Sequence, residues 1–155
     1  MTSFRLAALA FLVALLPGFA SAHDYKLGTL VIDHPWARAT APTAPAGGGF
    51  LTITNTGTTP DRLVSARSAA AGMVQVHEMK MDGNVMRMRE LEHGLEIPPG
   101  KTVTLAPGGF HLMLMQLKGP LKEHTKVPVT LVFEKAGSID VELSVEGMGA
   151  THSGH

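Results

Sequence analysis

Cysteine is absent from all 155 residues of the chain. No disulfide can brace the fold, no thiolate can act as a nucleophile, and none can hold a metal. An excess of charge is lacking too, with 13 basic residues against 13 acidic ones, which argues against a nucleic-acid partner. No long stretch carries apolar residues at helical spacing. No Ser/His/Asp arrangement or acid pair stands at catalytic spacing, so an enzyme is not indicated. The longest apolar run, residues 6 to 16, is short for a membrane span.

That run follows Arg5, breaks at Pro17-Gly18 and leads into Ala20-Ser21-Ala22, the small-x-small pattern of a signal-peptidase site. Residues 1–22 are therefore expected to be a cleaved secretory signal, with the bacterial periplasm as destination. The mature chain would begin at His23 and would not be embedded in the membrane. It is long enough to fold by packing alone. One domain is expected over 23–146, followed by a flexible tail containing Met and His over 147–155.

What is present is a succession of short β-like runs between turn residues: 25–33, 48–55, 73–81, 84–91, 101–107, 110–117, 126–135 and 139–146. Such spacing reads as an antiparallel sandwich or barrel. Asp82-Gly83-Asn84 should turn a hairpin that sets 73–81 beside 84–91. The Pro- and Gly-rich segment 39–49 reads as an irregular loop, and 94–103 as a turn through Pro98-Pro99-Gly100.

Sulfur is plentiful in spite of the missing thiol. Seven of the nine methionines, at 73, 79, 81, 86, 88, 113 and 115, fall between residues 73 and 115. Strand alternation puts Met73, Gln75, His77, Met79 and Met81 on one face, and His111, Met113 and Met115 on one face of another run. Neutral thioether and imidazole together suit Cu(I) and are poor donors for Mg²⁺ or Ca²⁺. Taken singly, a methionine more often fills a gap in a core, and Met73, Met79, Met81 and Met115 are read mainly in that way.

The segments HPWARAT (34–40), HEMKM and VMRMRE (77–90), GLEIPPG (94–100) and PGGFHLMLMQLKGPLKEH (107–124) together resemble the periplasmic PCuAC copper chaperones. The resemblance covers about Tyr25 to Val145. It implies an all-β, cupredoxin-like antiparallel β-sandwich of Greek-key type. It also implies Cu(I) bound by His77, Met88, His111 and Met113. The family pattern places a Met after ten intervening residues and the H-x-M pair after twenty-one more. Here ten residues separate His77 from Met88, but twenty-two separate Met88 from His111. If the extra residue shifts the hairpin register, Met86 replaces Met88, and the sequence leaves both open. The resemblance further implies delivery of copper to the CuA centre of cytochrome c oxidase, on subunit II, directly or through another copper carrier. Both imidazoles must be neutral to bind, so affinity is expected to fall as the pH drops through about 6.5.

The two ends offer further donors. Cleavage after Ala22 would give His23 an amine and an imidazole able to chelate Cu(II), and the tail supplies Met148, His152 and His155. A monomer is expected. His34 reads as a loop-fixing residue and Trp36 as a packing residue. Four rivals compete with a carrier. An electron-transfer blue-copper protein fails for want of a cysteine ligand. A copper oxidase built on His23 lacks an evident substrate pocket. Copper scavenging or storage, and a metal-free β-sandwich interaction module, need measurements of copper uptake to separate them.

Overall fold

The computed structural model describes residues 24–154, so the expected signal segment, His23 and His155 lie outside the described residues. Eleven strands form a single sheet, and no helix occurs among the described residues. They are β1 (Tyr25–Leu27), β2 (Leu30–Arg38), β3 (Ala46–Asn55), β4 (Asp61–Arg67), β5 (Ala71–Asp82), β6 (Val85–Glu90), β7 (Leu95–Ile97), β8 (Thr102–Leu105), β9 (Phe110–Leu117), β10 (Lys126–Phe133) and β11 (Gly137–Glu146). Hydrogen-bonded neighbours run β5, β9, β8, β3, β2, β11, β10, β4, and the sheet closes where Ala66 of β4 meets Val74 of β5. The result is a barrel-like wall with β6 outside the ring, paired to β5.

Alternation builds the core. Leu30 and Ile32, Leu51 and Ile53, Val74 and Val76, Leu112 and Leu114, Val129 and Leu131, and Val141 and Leu143 all point inward and are buried. Each such side chain contributes roughly 1.5–3 kcal/mol relative to exposure, which replaces the disulfides this chain cannot form.

Three expectations need correction. First, the sheet is mixed rather than purely antiparallel: Ser144, Val145 and Glu146 of β11 pair in parallel with Trp36, Ala37 and Arg38 of β2. The first long strand and the last thus lie side by side, which closes the wall. Second, the run 25–33 is not one strand. Gly28, at φ 59°, turns the chain back so that β1 pairs with β2. Third, 46–49 belongs to β3 rather than to a loop. Its glycines pair with Leu112, Met113 and Leu114 of β9, and a Cβ on Gly49 would come 2.9 Å from Leu143 Cδ1, so only a bare backbone fits there.

Residues 147–154, expected as a flexible tail, are hydrogen-bonded back to the barrel. Arg38 Nε donates to Ala150 O at 2.7 Å, and Gly154 N donates to Glu146 Oε1 at 3.3 Å. No helix among the described residues is long and apolar enough to cross a membrane.

Candidate functional site

Strands β6, β5 and β9 lie side by side, and their registers fix which side chains meet. His77 of β5 stands opposite His111 of β9 on one side and opposite Glu90 of β6 on the other. Gln75 stands opposite Met113, Met79 opposite Met88, and Met81 opposite Met86. Because Val74 and Val76 fill the core, this row of His, Gln and Met side chains occupies the outer face of the wall. Met73, Met79, Met81 and Met115, read from sequence mainly as core, are therefore on the outside as well. Met73 and Met81 are about half exposed.

The turn at Asp82-Gly83-Asn84 settles the hairpin register, with Gly83 at φ 64° and Asp82 opposite Val85. Met88 then lies diagonally across the hairpin from His77, two pairs along the ladder and on the same face, while Met86 lies two pairs further. This register makes His77 and Met88 same-face neighbours whatever the length of the segment from Met88 to His111.

The imidazoles are unlike their surroundings. His77 and His111 are buried, at 9% and 5% exposure, and their ring centroids lie 5.5 Å apart. His77 Nε2 donates to Gln75 Oε1 at 2.8 Å, and the amide nitrogen of Gln75 in turn donates to Met73 Sδ at 3.3 Å. His111 Nδ1 donates to the Gly109 carbonyl at 3.3 Å. A neutral imidazole with one nitrogen donating has a lone pair on the other. Those other nitrogens, His77 Nδ1 and His111 Nε2, are the buried side-chain nitrogen or oxygen atoms without a hydrogen-bond partner among the described residues. Leaving such a group unpaired costs about 1–3 kcal/mol, so two together point to a site built for something other than stability.

Burial pushes both imidazoles below the ordinary value. For His77 desolvation outweighs the opposing attraction of Glu90. For His111 desolvation outweighs the bond to Gly109, and the neighbouring His77 lowers it further. Each ring is thereby held neutral, the form that can coordinate a metal.

On the other side of β9, Gly48 of β3 pairs with Met113, and the ring of Phe50 lies over Gly48 on that same outer face. Trp36 pairs with Phe50 and packs on it at a centroid distance of 4.6 Å. Both aromatics are buried yet stand apart from the main core cluster. They wall the site on the side away from the hairpin.

Of the remaining expected donors, His23 and His155 lie outside the described residues. Met148 and His152 follow β11, whose strand neighbours are β2 and β10, and both are exposed. His34 has φ 49° and sits at the register shift of β2 against β3. Reading residues alone passed over Gln75 and Glu90. The signal was available for Gln75, which lies two positions before His77 and so on the same strand face. Glu90 could be found only through the hairpin register.

The chain is similar over 140 residues to the "Putative lipoprotein Lxx21020" of Leifsonia xyli subsp. xyli, at 32% identity covering 90% of this chain and 83% of that one. Among solved structures it resembles the copper-bound PCuAC domain from PmoF2, at 31% identity and a TM-score of 0.69, covering 81% of this chain and 98% of that domain. It also resembles the solution structure of Cu(I)-DR1885 from Deinococcus radiodurans, at 28% identity and a TM-score of 0.61, covering 82% and 83%. The model of the family described as "Putative lipoprotein LpqE-like" matches residues 30–145, the whole barrel from β2 to β11. With its fold shared with PCuAC domains, the chain belongs to the LpqE-like family.

Proposed function

We propose that this protein is an extracytoplasmic Cu(I) carrier, in which His77, Met88, His111 and Met113 hold the ion on the outer face of a cupredoxin-like barrel. One observation carries the reading: two opposed, buried imidazoles each keep a ring nitrogen without a hydrogen-bond partner among the described residues. A soft cation supported by adjacent thioethers is the partner that fits. The copper-bound state of a structural relative supports the same choice.

In this reading the protein's own groups divide the work. Gln75 and the Gly109 carbonyl hold the rings in the tautomers that turn Nδ1 of His77 and Nε2 of His111 toward the ion. Met113 and Met88 supply sulfur from the strands on either side of β5, and neither loses a proton on binding. Met88 is 47% exposed and can give way to an incoming ligand. The acceptor would be the CuA centre on subunit II of cytochrome c oxidase, or another copper carrier. Transport would take place in the periplasm after removal of residues 1–22. The relatives' names describe lipoproteins, but these 155 residues hold no cysteine for a thioether-linked lipid.

Cu(I) affinity, measured by chelator competition under reducing conditions, tests the proposal. His111→Ala and Met113→Ala should each weaken binding more than about tenfold, roughly 1.4 kcal/mol. Smaller losses in both would overturn the assignment. Incubating the loaded protein with an apo CuA domain separates delivery from storage, since a storage protein keeps its copper.

A further inference from the structure

The sulfur-bearing face continues beyond the imidazoles. Pairing of β5 with β9 ends at Glu78 opposite Phe110, Met79 N makes one more bond to Gly109 O at 3.1 Å, and beyond it the β5–β6 hairpin runs on alone. Met79 faces Met88, and Met81 faces Met86 two residues further along, on the same face. Directly opposed Cβ atoms in such a ladder stand about 5 Å apart, and thioether arms on them can reach a shared point. The other face of the hairpin is charged, with Arg87 bound to Asp82 at 2.9 Å and Arg89 to Glu78 at 3.3 Å. Sulfur is thus confined to one side. Met81 and Met86 are 54% and 48% exposed, and large apolar side chains gain little from packing there. Most of the large apolar side chains that the described residues leave exposed are methionines, which points to the sulfur rather than to apolar area as the shared property.

We propose that Met81 and Met86, with Met79, form a second and weaker Cu(I) site, from which the ion steps to Met88 and the histidine pair. The proposal rests on reading the histidine pair as the tight site. Within the ladder each step exchanges one Cu–S bond for another, and arrival at the histidine pair exchanges Cu–S bonds for Cu–N bonds to the free lone pairs of His77 Nδ1 and His111 Nε2. Copper keeps its single positive charge throughout, no electron moves, and no proton is taken up or released. A thioether-only site is weaker than one with imidazole donors, so the ladder would load from solution or a partner and empty toward His77 and His111.

The test is a Cu(I) titration under reducing conditions of the mature protein labelled with ¹³C at the methionine methyl groups. The first equivalent should shift the methyls of Met88 and Met113, and a second those of Met81, Met86 and Met79. In Met81→Leu/Met86→Leu, which keeps apolar bulk, the second equivalent should be lost and the first kept within about twofold. In His77→Ala/His111→Ala the ladder methyls should still respond, now to the first equivalent. Silence of the Met81 and Met86 methyls in both the mature protein and the histidine variant overturns the ladder, as does a second equivalent that persists in the leucine variant. Failure of the histidine reading shows separately, as a first equivalent whose affinity is the same in His77→Ala/His111→Ala as in the mature protein.

Discussion

Gln75 decides which nitrogen of His77 is free. Its amide oxygen takes the Nε2 proton, so the lone pair stays on Nδ1. Gln75→Ala should weaken Cu(I) binding about tenfold, in line with other residues that orient a metal-binding histidine. ¹⁵N spectra of the apo protein should show His77 losing its single Nε2–H tautomer, a change that simple loosening of the fold would not give. Gln75→Glu retains an acceptor and should restore the tautomer. Burial of the two imidazoles predicts a pH response as well. Both are lowered, mainly by desolvation, so protons should compete with copper only at lower pH than free imidazole implies. Cu(I) affinity should stay level through about pH 6.5 and fall below it, which revises the expectation drawn from sequence. The same shift acts on folding. The unfolded chain takes up protons near 6.5 while the native rings refuse them, so the stability present above that value is lost as the pH falls through the lowered folded-state values. Denaturant titrations of the apo protein between about pH 7.5 and 5 should show this decline, and His77→Phe/His111→Phe should flatten it.

Asp61 ties separate strands together at the opening of β4. It is buried, its Oδ1 accepts from the backbone N–H of Arg62 and Lys135, and its Oδ2 accepts from Ala136. The last two lie in the turn between β10 and β11. Asp61→Ala leaves three donors unpaired and should cost about 3 kcal/mol, read as a lower urea midpoint, with Cu(I) affinity unchanged. β4 itself was not legible in the sequence, unlike β5, β6, β9, β10 and β11. In DRLVSAR the inward residues are Leu63 and Ala66, three apart, because the pairing with β10 shifts register at Val132 and Phe133. The shift breaks the period of two on which strand reading depends. β2 escaped full recognition for a similar reason, since His34 in the left-handed region interrupts its alternation before Pro35. The hairpin turn was legible because Asp-Gly-Asn between two alternating runs states its own geometry.

At the scale of the molecule, closure of the sheet decides what alternation alone does not. A period of two tells which side chains share a face, so the company of His77 with Met79, and of His111 with Met113, could be read from residues. Which face is covered depends on how distant strands meet, as β11 meets β2 and β4 meets β5. The methionines therefore looked like core until the wall closed behind them. Their outward position predicts the response to oxidation. Mild peroxide should convert the exposed Met73, Met81, Met86, Met88 and Met148 to sulfoxides while the aliphatic core stays intact. Melting should move by no more than a few degrees while Cu(I) affinity falls at least tenfold, checked by mass spectrometry, thermal denaturation and chelator competition on one sample. Methionine sulfoxide reductases should restore binding.

β6 pairs with β5 and has no second strand neighbour among those described, so it presents one unpaired row of backbone donors and acceptors to water. Such an edge ordinarily invites another chain to add a strand. Arg87 and Arg89 flank it, and their bulky, hydrated heads obstruct that approach even while they pair with Asp82 and Glu78. A strand added at this edge would have to displace those arginines, while the sulfur-rich face beside it stays exposed.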